Sequence, residues 1–391
     1  MNLRRLTRRD LPAYGSLCQY AFGMTADYTR TYERWVGHFL RHAWGAFEGG
    51  SLSAGMWSYP YTMRVGDRWL PMGGVAAVAT RPESRNQGLV RALMTRAHEA
   101  MRADGWPLAA LMPFKHSYYR AMGYGDAFFQ HEWAFSPAQL AHRPARDVTL
   151  RRVDPLRVLP LLGRLHDAEA ARRFGGCRRD ALYWKTRYFS SILPGNVASV
   201  YLAERRGRPT GFLLTLLSQA PVGKADLRVT AAVWTDEATL DAFLAHLRAH
   251  RDQVGTVRIR LAPDVDLFPR FDDPKLEVAL KPRAMLKLVD LKFALECRAY
   301  DPSVRGEVVL EVEGDPTSPW NEGRWRVAFS RGRARVAPAK SAADLRVDIQ
   351  SLAIAYAGRR RLSTLISGDA SALALLDAAL PQGTPYLEEA F

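Results

Sequence analysis

The chain has 391 residues, 48% of them hydrophobic and 24% charged, which is too long for one ordinary domain and too apolar for wholesale disorder. Its formal charge of +15 directs attention to anionic partners: nucleic acid, a membrane surface or a phosphorylated cofactor. Only eight of the 55 basic residues are lysine, so the surplus is arginine, which genomic base composition alone can also produce.

In chain order, helices are predicted over 11–22 and 27–40, then strands over 43–48, 52–61 and 69–80, with Gly49-Gly50 and Gly66-Asp67 as turn signals. A long helix follows Gly88, with Leu89, Leu93, Ala97 and Ala100 on one face. A short buried strand over 108–112 and a tyrosine-rich helical turn complete an α+β unit. The Pro/Arg-rich stretch 136–147 reads as a boundary. Beyond it come a helix over 155–173, strands near 199–203, 209–217 and 227–234, a helix over 237–250 and a strand over 256–261. That order resembles the first unit and suggests an internal duplication. The proline- and aspartate-rich segment 262–282 reads as a second linker. From Met285 onward a helix is predicted, then strands over 307–312, 324–329, 331–336 and 345–349, and two or three closing helices. The expected domains are therefore 1–145, 146–283 and 284–391.

Cys18, Cys177 and Cys297 are far apart and form no C-x-x-C pair, and the nine histidines show no H-E-x-x-H spacing. No metal site is expected, and a reducing compartment fits best. Met1 to Asp10 lacks the apolar core of a signal peptide. No apolar run approaches the roughly 18–20 residues of a membrane span. The expectation is a soluble, cytoplasmic protein with no membrane partner. No nucleic-acid motif accompanies the charge.

Arg85-Asn86-Gln87-Gly88-Leu89-Val90 joins a predicted strand to the long helix. A glycine turn at a helix N-terminus presents unpaired amides and the positive end of the dipole, which suits a phosphate. Arg85 and Arg91 add charge. In the second unit the corresponding strand runs into Thr235-Asp236-Glu237, with no glycine and two carboxylates. That helix start would repel a pyrophosphate, so the second unit is expected to scaffold or wall a pocket.

The block from Gly73 to Gly125, including Arg85-x-x-Gly88 and Tyr119-x-x-x-Gly123-Tyr124, resembles the GNAT acetyltransferase superfamily. Val90 departs from the Gly or Ala that most members carry. Within the superfamily the whole chain resembles the Eis aminoglycoside acetyltransferases. The matching segments include Tyr-Tyr-Arg-Ala-Met-Gly-Tyr-Gly, the run from Asp315 to Arg326 and the ending Pro-Tyr-Leu-Glu-Glu-Ala-Phe.

The resemblance implies two GNAT folds, the second degenerate, a C-terminal sterol-carrier-protein-like domain, a hexamer, and acetyl-CoA as cosubstrate for a small-molecule amine. It implies cofactor contacts at Val78, Ala79 and Thr80 and along Arg85, Asn86, Gln87, Gly88, Leu89, Val90 and Arg91. It makes Tyr119 the general acid, with Tyr118 as competitor, and the C-terminal carboxylate of Phe391 the base; Phe391 could instead plug a groove. Tyr28, Tyr32, Trp35 and Phe39 fall at i, i+4, i+7 and i+11, a stripe that suits either core or substrate wall. Phe22, Asp27 and Trp35 are the expected substrate contacts. The alternatives are acetylation of lysine or N-terminal amines on peptides, and a basic protein that binds nucleic acid or lipid without catalysis. A polycationic acceptor requires a locally acidic pocket in this basic chain.

Overall fold

A computed structural model describes residues 1–143, 147–185, 197–218 and 224–389, with the backbone alone at 26–28, 31, 32 and 197. The chain forms two compact units, Met1–Phe128 with Ala284–Phe391, and Phe129–Arg283. The C-terminal segment therefore folds together with the first.

Unit 1 opens with β1 (Asn2–Arg5), α1 (Leu11–Phe22) and α2 (Ala26–Val36). The antiparallel strands β2 (Ala43–Glu48), β3 (Ser51–Val65) and β4 (Arg68–Thr80) follow. α3 (Leu89–Ala103) then crosses over to β5 (Leu108–Leu111), which pairs parallel to β4. The apolar face of α3 buries Leu89, Val90, Leu93, Met94, Ala97 and Met101 against the sheet, in one core with Met56, Val75 and Leu111. After β5 come α4 (His116–Arg120) and β6 (Gly125–Phe135).

Unit 2 repeats this order. It contains β7 (Val148–Val153), α5 (Leu159–Ala170), β8 (Cys177–Arg178), α6 (Ala181–Tyr183), β9 (Val197–Arg205), β10 (Arg208–Ser218), β11 (Ala225–Trp234), α7 (Glu237–Arg248) and β12 (Val254–Leu261). The sequence β7-β9-β10-β11 is antiparallel and β11-β12 is parallel, with α7 as the crossover. The duplication read from element order is thus present in topology. Each sheet is completed by an antiparallel strand: β6 on β12, and β13 (Glu277–Leu288) on β5.

The C-terminal segment adds α8 (Leu291–Cys297), β14 (Gly306–Glu313), β15 (Gly323–Ser330), β16 (Arg333–Pro338), β17 (Leu345–Asp348), α9 (Ile349–Tyr356) and α10 (Ala370–Ala379). Its four strands form a separate sheet in the order β16-β15-β14-β17. Among the described residues no helix is long and apolar enough to cross a membrane.

Two sequence expectations change. The helix predicted over 27–40 stops at Val36; a 3₁₀ stretch, Gly37–His42, follows, and Phe39 leaves helical geometry at φ −120° and ψ 24°. The stretch expected to be a linker up to residue 282 already contains the first half of β13, and the segment from Met285 continues that strand before α8 begins.

Candidate active site

The site begins with a break in the β4 register. Pairing passes from Trp57↔Ala76 to Gly55↔Ala79, so Ala77 and Val78 together face Met56. A bulge takes one residue out of strand geometry, and here Ala77 lies at φ +46°. Its carbonyl accepts a 2.8 Å hydrogen bond from the Tyr14 hydroxyl. β5 pairs with β4 only over Met72–Val75, so beyond Val75 the β4 edge on that side opens into a cleft.

The loop after β4 turns into α3 through Asn86 at φ +63° and Gly88 at φ +76°. Gly88 is the N-cap, and no side chain caps the helix. A Cβ at Gly88 would meet nothing within 4 Å. The first-turn amides of a 15-residue helix therefore face open space, with the dipole's positive end behind them.

A cleft of about 850 Å³ lies over this loop. Val78, Ala79, Thr80 and all of Arg85, Asn86, Gln87, Gly88, Leu89, Val90 and Arg91 line it, so the ten expected cofactor residues come together on one wall. Phe22, half exposed, lines it too. Phe114 and Lys115, which sequence reasoning missed, form part of the wall, and the only hint was their place just after β5. The charged residues among the described lining are Arg85, Arg91 and Lys115, and no carboxylate is among them. The cleft suits a long molecule with an anionic end and a thin arm rich in amides.

α4 brings the tyrosines to this wall. Tyr118 lines the cleft, whereas Tyr119 sits behind it at 3% exposure in the core. The two rings meet edge to face at 5.3 Å, and Phe114 packs on both. Burial pushes the phenol of each above its ordinary value, further for Tyr119 than for Tyr118. Both are therefore protonated donors at neutral pH.

Trp35 is not brought to the cleft. It is 4% exposed and packs against Trp57, Tyr59 and Phe39, so the aromatic stripe faces the core at this position. Asp27 lies in α2, but its side chain is outside the described residues, as is Phe391. The chain just before the end is well packed: Leu387 is fully buried and Glu389 is 1% exposed. In unit 2, Asp236 caps α7 by accepting from the Thr239 amide at 2.9 Å. A carboxylate of the chain thus occupies the helix start that Gly88 leaves open in unit 1. Among the described residues no cluster of His, Cys, Asp and Glu could hold a metal.

Residues 2–127 and 175–288 each match a model described as an acetyltransferase (GNAT) domain, and 291–388 match a sterol carrier protein domain. N-acetyltransferase Eis of Mycobacterium tuberculosis is 27% identical over 345 residues, covering 82% of this chain and 80% of the relative. The chain is a GNAT-type N-acetyltransferase related to Eis. An uncharacterized N-acetyltransferase of Streptomyces griseus is 26% identical over 354 residues, 85% of this chain and 84% of that one. The crystal structure of Eis1 from Mycobacterium abscessus shares the fold over the full length of both chains, with a TM-score of 0.80 at 22% identity. GNAT acetyltransferases use acetyl-CoA in general, and the cleft of this Eis relative lies where its GNAT signature loop and its bulged strand meet.

Proposed function

We propose that the enzyme transfers an acetyl group from acetyl-CoA to amines of an aminoglycoside-like polyamine, by direct attack in a ternary complex. The observation that carries the reading is the open α3 N-terminus at Gly88 in a cleft lined by Arg85, Arg91 and the bulged β4 edge. Bound acetyl-CoA supplies the activated thioester. The α3 amides with Arg85 and Arg91 hold its pyrophosphate. The free edge of Val78, Ala79 and Thr80 offers strand-like hydrogen bonds to an amide-bearing arm and an N–H to the thioester oxygen. Tyr119, matching the family's tyrosine, is the general acid that meets the departing thiolate. The Phe391 carboxylate accepts the amine's proton; an ordinary α-carboxyl has a pKa of about 3.3–3.7, so it works best through water or on an amine of low basicity. Phe22 and Asp27 are proposed for the acceptor's side; Trp35, buried against Trp57 and Tyr59, is not. The same resemblance extends the proposal to a cytoplasmic homohexamer with domains over 1–145, 146–283 and 284–391.

One observation favours a second reading. The lining charges of the described cleft are all positive, which suits a pyrophosphate and disfavours a polycation. A less cationic acceptor, such as a lysine or N-terminal amine of a peptide, would meet less repulsion.

The mechanism is tested by Tyr119→Phe and Tyr118→Phe in parallel. Tyr119→Phe is expected to lower kcat by about 10²–10⁴, the usual worth of a positioned acid, with Tyr118→Phe closer to wild type. The reverse ranking would move the role to Tyr118, the residue on the cleft wall. Wild-type turnover in both would remove a tyrosine acid.

A further inference from the structure

The turn that carries both tyrosines is closed by its own backbone bonds and by Asp126, and two further hydrogen bonds reach it from the other end of the chain. The Thr317 hydroxyl donates to the Met122 carbonyl at 2.8 Å, and Gln350 Nε2 donates to the Arg120 carbonyl at 2.8 Å. His98 of α3 joins the same contact. Its Nδ1 lies 3.3 Å from the Thr317 carbonyl and its Nε2 lies 2.9 Å from the Tyr124 hydroxyl. Burial pulls His98 down to about 3, so the ring is neutral. The Ser318 hydroxyl also lies 3.4 Å from Nδ1, so the ring joins the Tyr124 hydroxyl on one side to Thr317 and Ser318 on the other. His98, Tyr124 and Thr317 are fully buried.

The backbone of the turn packs closely on the same C-terminal residues. Gly123 has φ +85°, and a Cβ there would collide with Lys287 Nζ and crowd Asp315. A Cβ at Gly125 would strike the Gln350 carbonyl. The loop bearing Thr317 is itself fixed: Asp315 pairs with Lys287 and accepts from the Ser318 amide at 3.0 Å and Asn321 Nδ2 at 2.9 Å. Asn321 in turn accepts from the Leu291 amide at 2.9 Å.

We propose that Thr317 and Gln350 are positioning residues for acetyl transfer, through which the sterol-carrier-like domain fixes the tyrosine turn against the cleft of the N-terminal domain. The proposal rests on the reading of that turn as the source of the acid. It gives the C-terminal domain a part in the rate of chemistry that is separate from any lipid carriage and from the chain's terminal carboxylate.

The test is a double-mutant cycle in the full-length enzyme, with acetyl-CoA and a soluble amine. The tyrosine variants are measured first, and the one that loses turnover becomes the background. Thr317→Val is expected to lower kcat about tenfold, because small misplacements of reacting groups have large effects on rate. KM for acetyl-CoA stays within about twofold, since the Gly88 cradle is untouched. Thr317→Ser, which keeps the hydroxyl, restores kcat. Gln350→Leu, at a half-buried site, lowers kcat about threefold by the same route. In the tyrosine-variant background, Thr317→Val and Gln350→Leu cause no further loss. Equal fold-losses with and without the tyrosine would overturn the proposal while leaving the tyrosine acid standing. So would wild-type kcat in both variants. Wild-type turnover in both tyrosine variants would defeat the acid reading itself and the proposal with it.

Discussion

Asp315→Ala is expected to destabilise unit 1 by about 3–5 kcal/mol, the usual consequence of removing one partner of a buried ion pair. Asp315 and Lys287 have no exposed side-chain surface. Truncating the carboxylate leaves the Lys287 amine, already pulled down to about 8 by burial, without its counter-charge, and also removes the acceptor of the Ser318 amide and Asn321 Nδ2. Lys287→Met is expected to cost less, about 1–3 kcal/mol. Asp315 keeps both remaining donors there, and its carboxyl, already pushed up by burial, can take a proton. Because two compact units need not unfold together, the measurement is the denaturant midpoint of the transition that reports unit 1. A Lys287→Met protein less stable than Asp315→Ala would refute the view of Asp315 as the hub.

The second large effect concerns Gly88. Asn and Asp both tolerate the left-handed region, and both can cap a helix by accepting from its first amides. Gly88→Asn therefore tests the loss of free amides alone, while Gly88→Asp adds a negative charge of nearly the same shape. Gly88→Asn is expected to lower kcat/KM for acetyl-CoA about tenfold, and Gly88→Asp about a thousandfold, a difference of ~2.7 kcal/mol. The sign follows from the helix dipole and from Arg85 and Arg91 lining the same cleft. Equal values for the two variants would mean that no anionic group of the cosubstrate sits at this helix end.

The cleft wall around Gly88 was legible because its chemistry belongs to the backbone. A phosphate cradle needs a glycine, a helix start and flanking cations in sequence order, and residues 85–91 display all three. The opposite case is the α2 stripe, since helical spacing states which residues share a face but not what the face meets. Trp35 meets Trp57 and Tyr59, on a strand whose contribution no local pattern announces. Tyr118 and Tyr119 illustrate the same limit within one turn. Adjacent helical residues point about 100° apart, so one lines the cleft and the other enters the core, and the sequence cannot say which.

β13 was hidden by Pro282 between Lys281 and Arg283, which imitate a linker. Its exposed first half carries these charges, and only Ala284–Leu288 is buried. The clamp on the tyrosine turn joins His98 to Thr317 across 219 positions. Its members are common residue types with no spacing rule, so only the folded chain brings them together.

The acceptor is the central claim still open to direct test, and mass spectrometry of the amine after incubation with acetyl-CoA tests it most directly. The full-length enzyme would be given an aminoglycoside and, separately, a lysine-containing peptide. The aminoglycoside is expected to gain the mass of one or more acetyl groups, and Gly88→Asp to abolish the gain. An aminoglycoside left unmodified while the peptide is acetylated would contradict this expectation, and would make the positive cleft the better guide to the substrate.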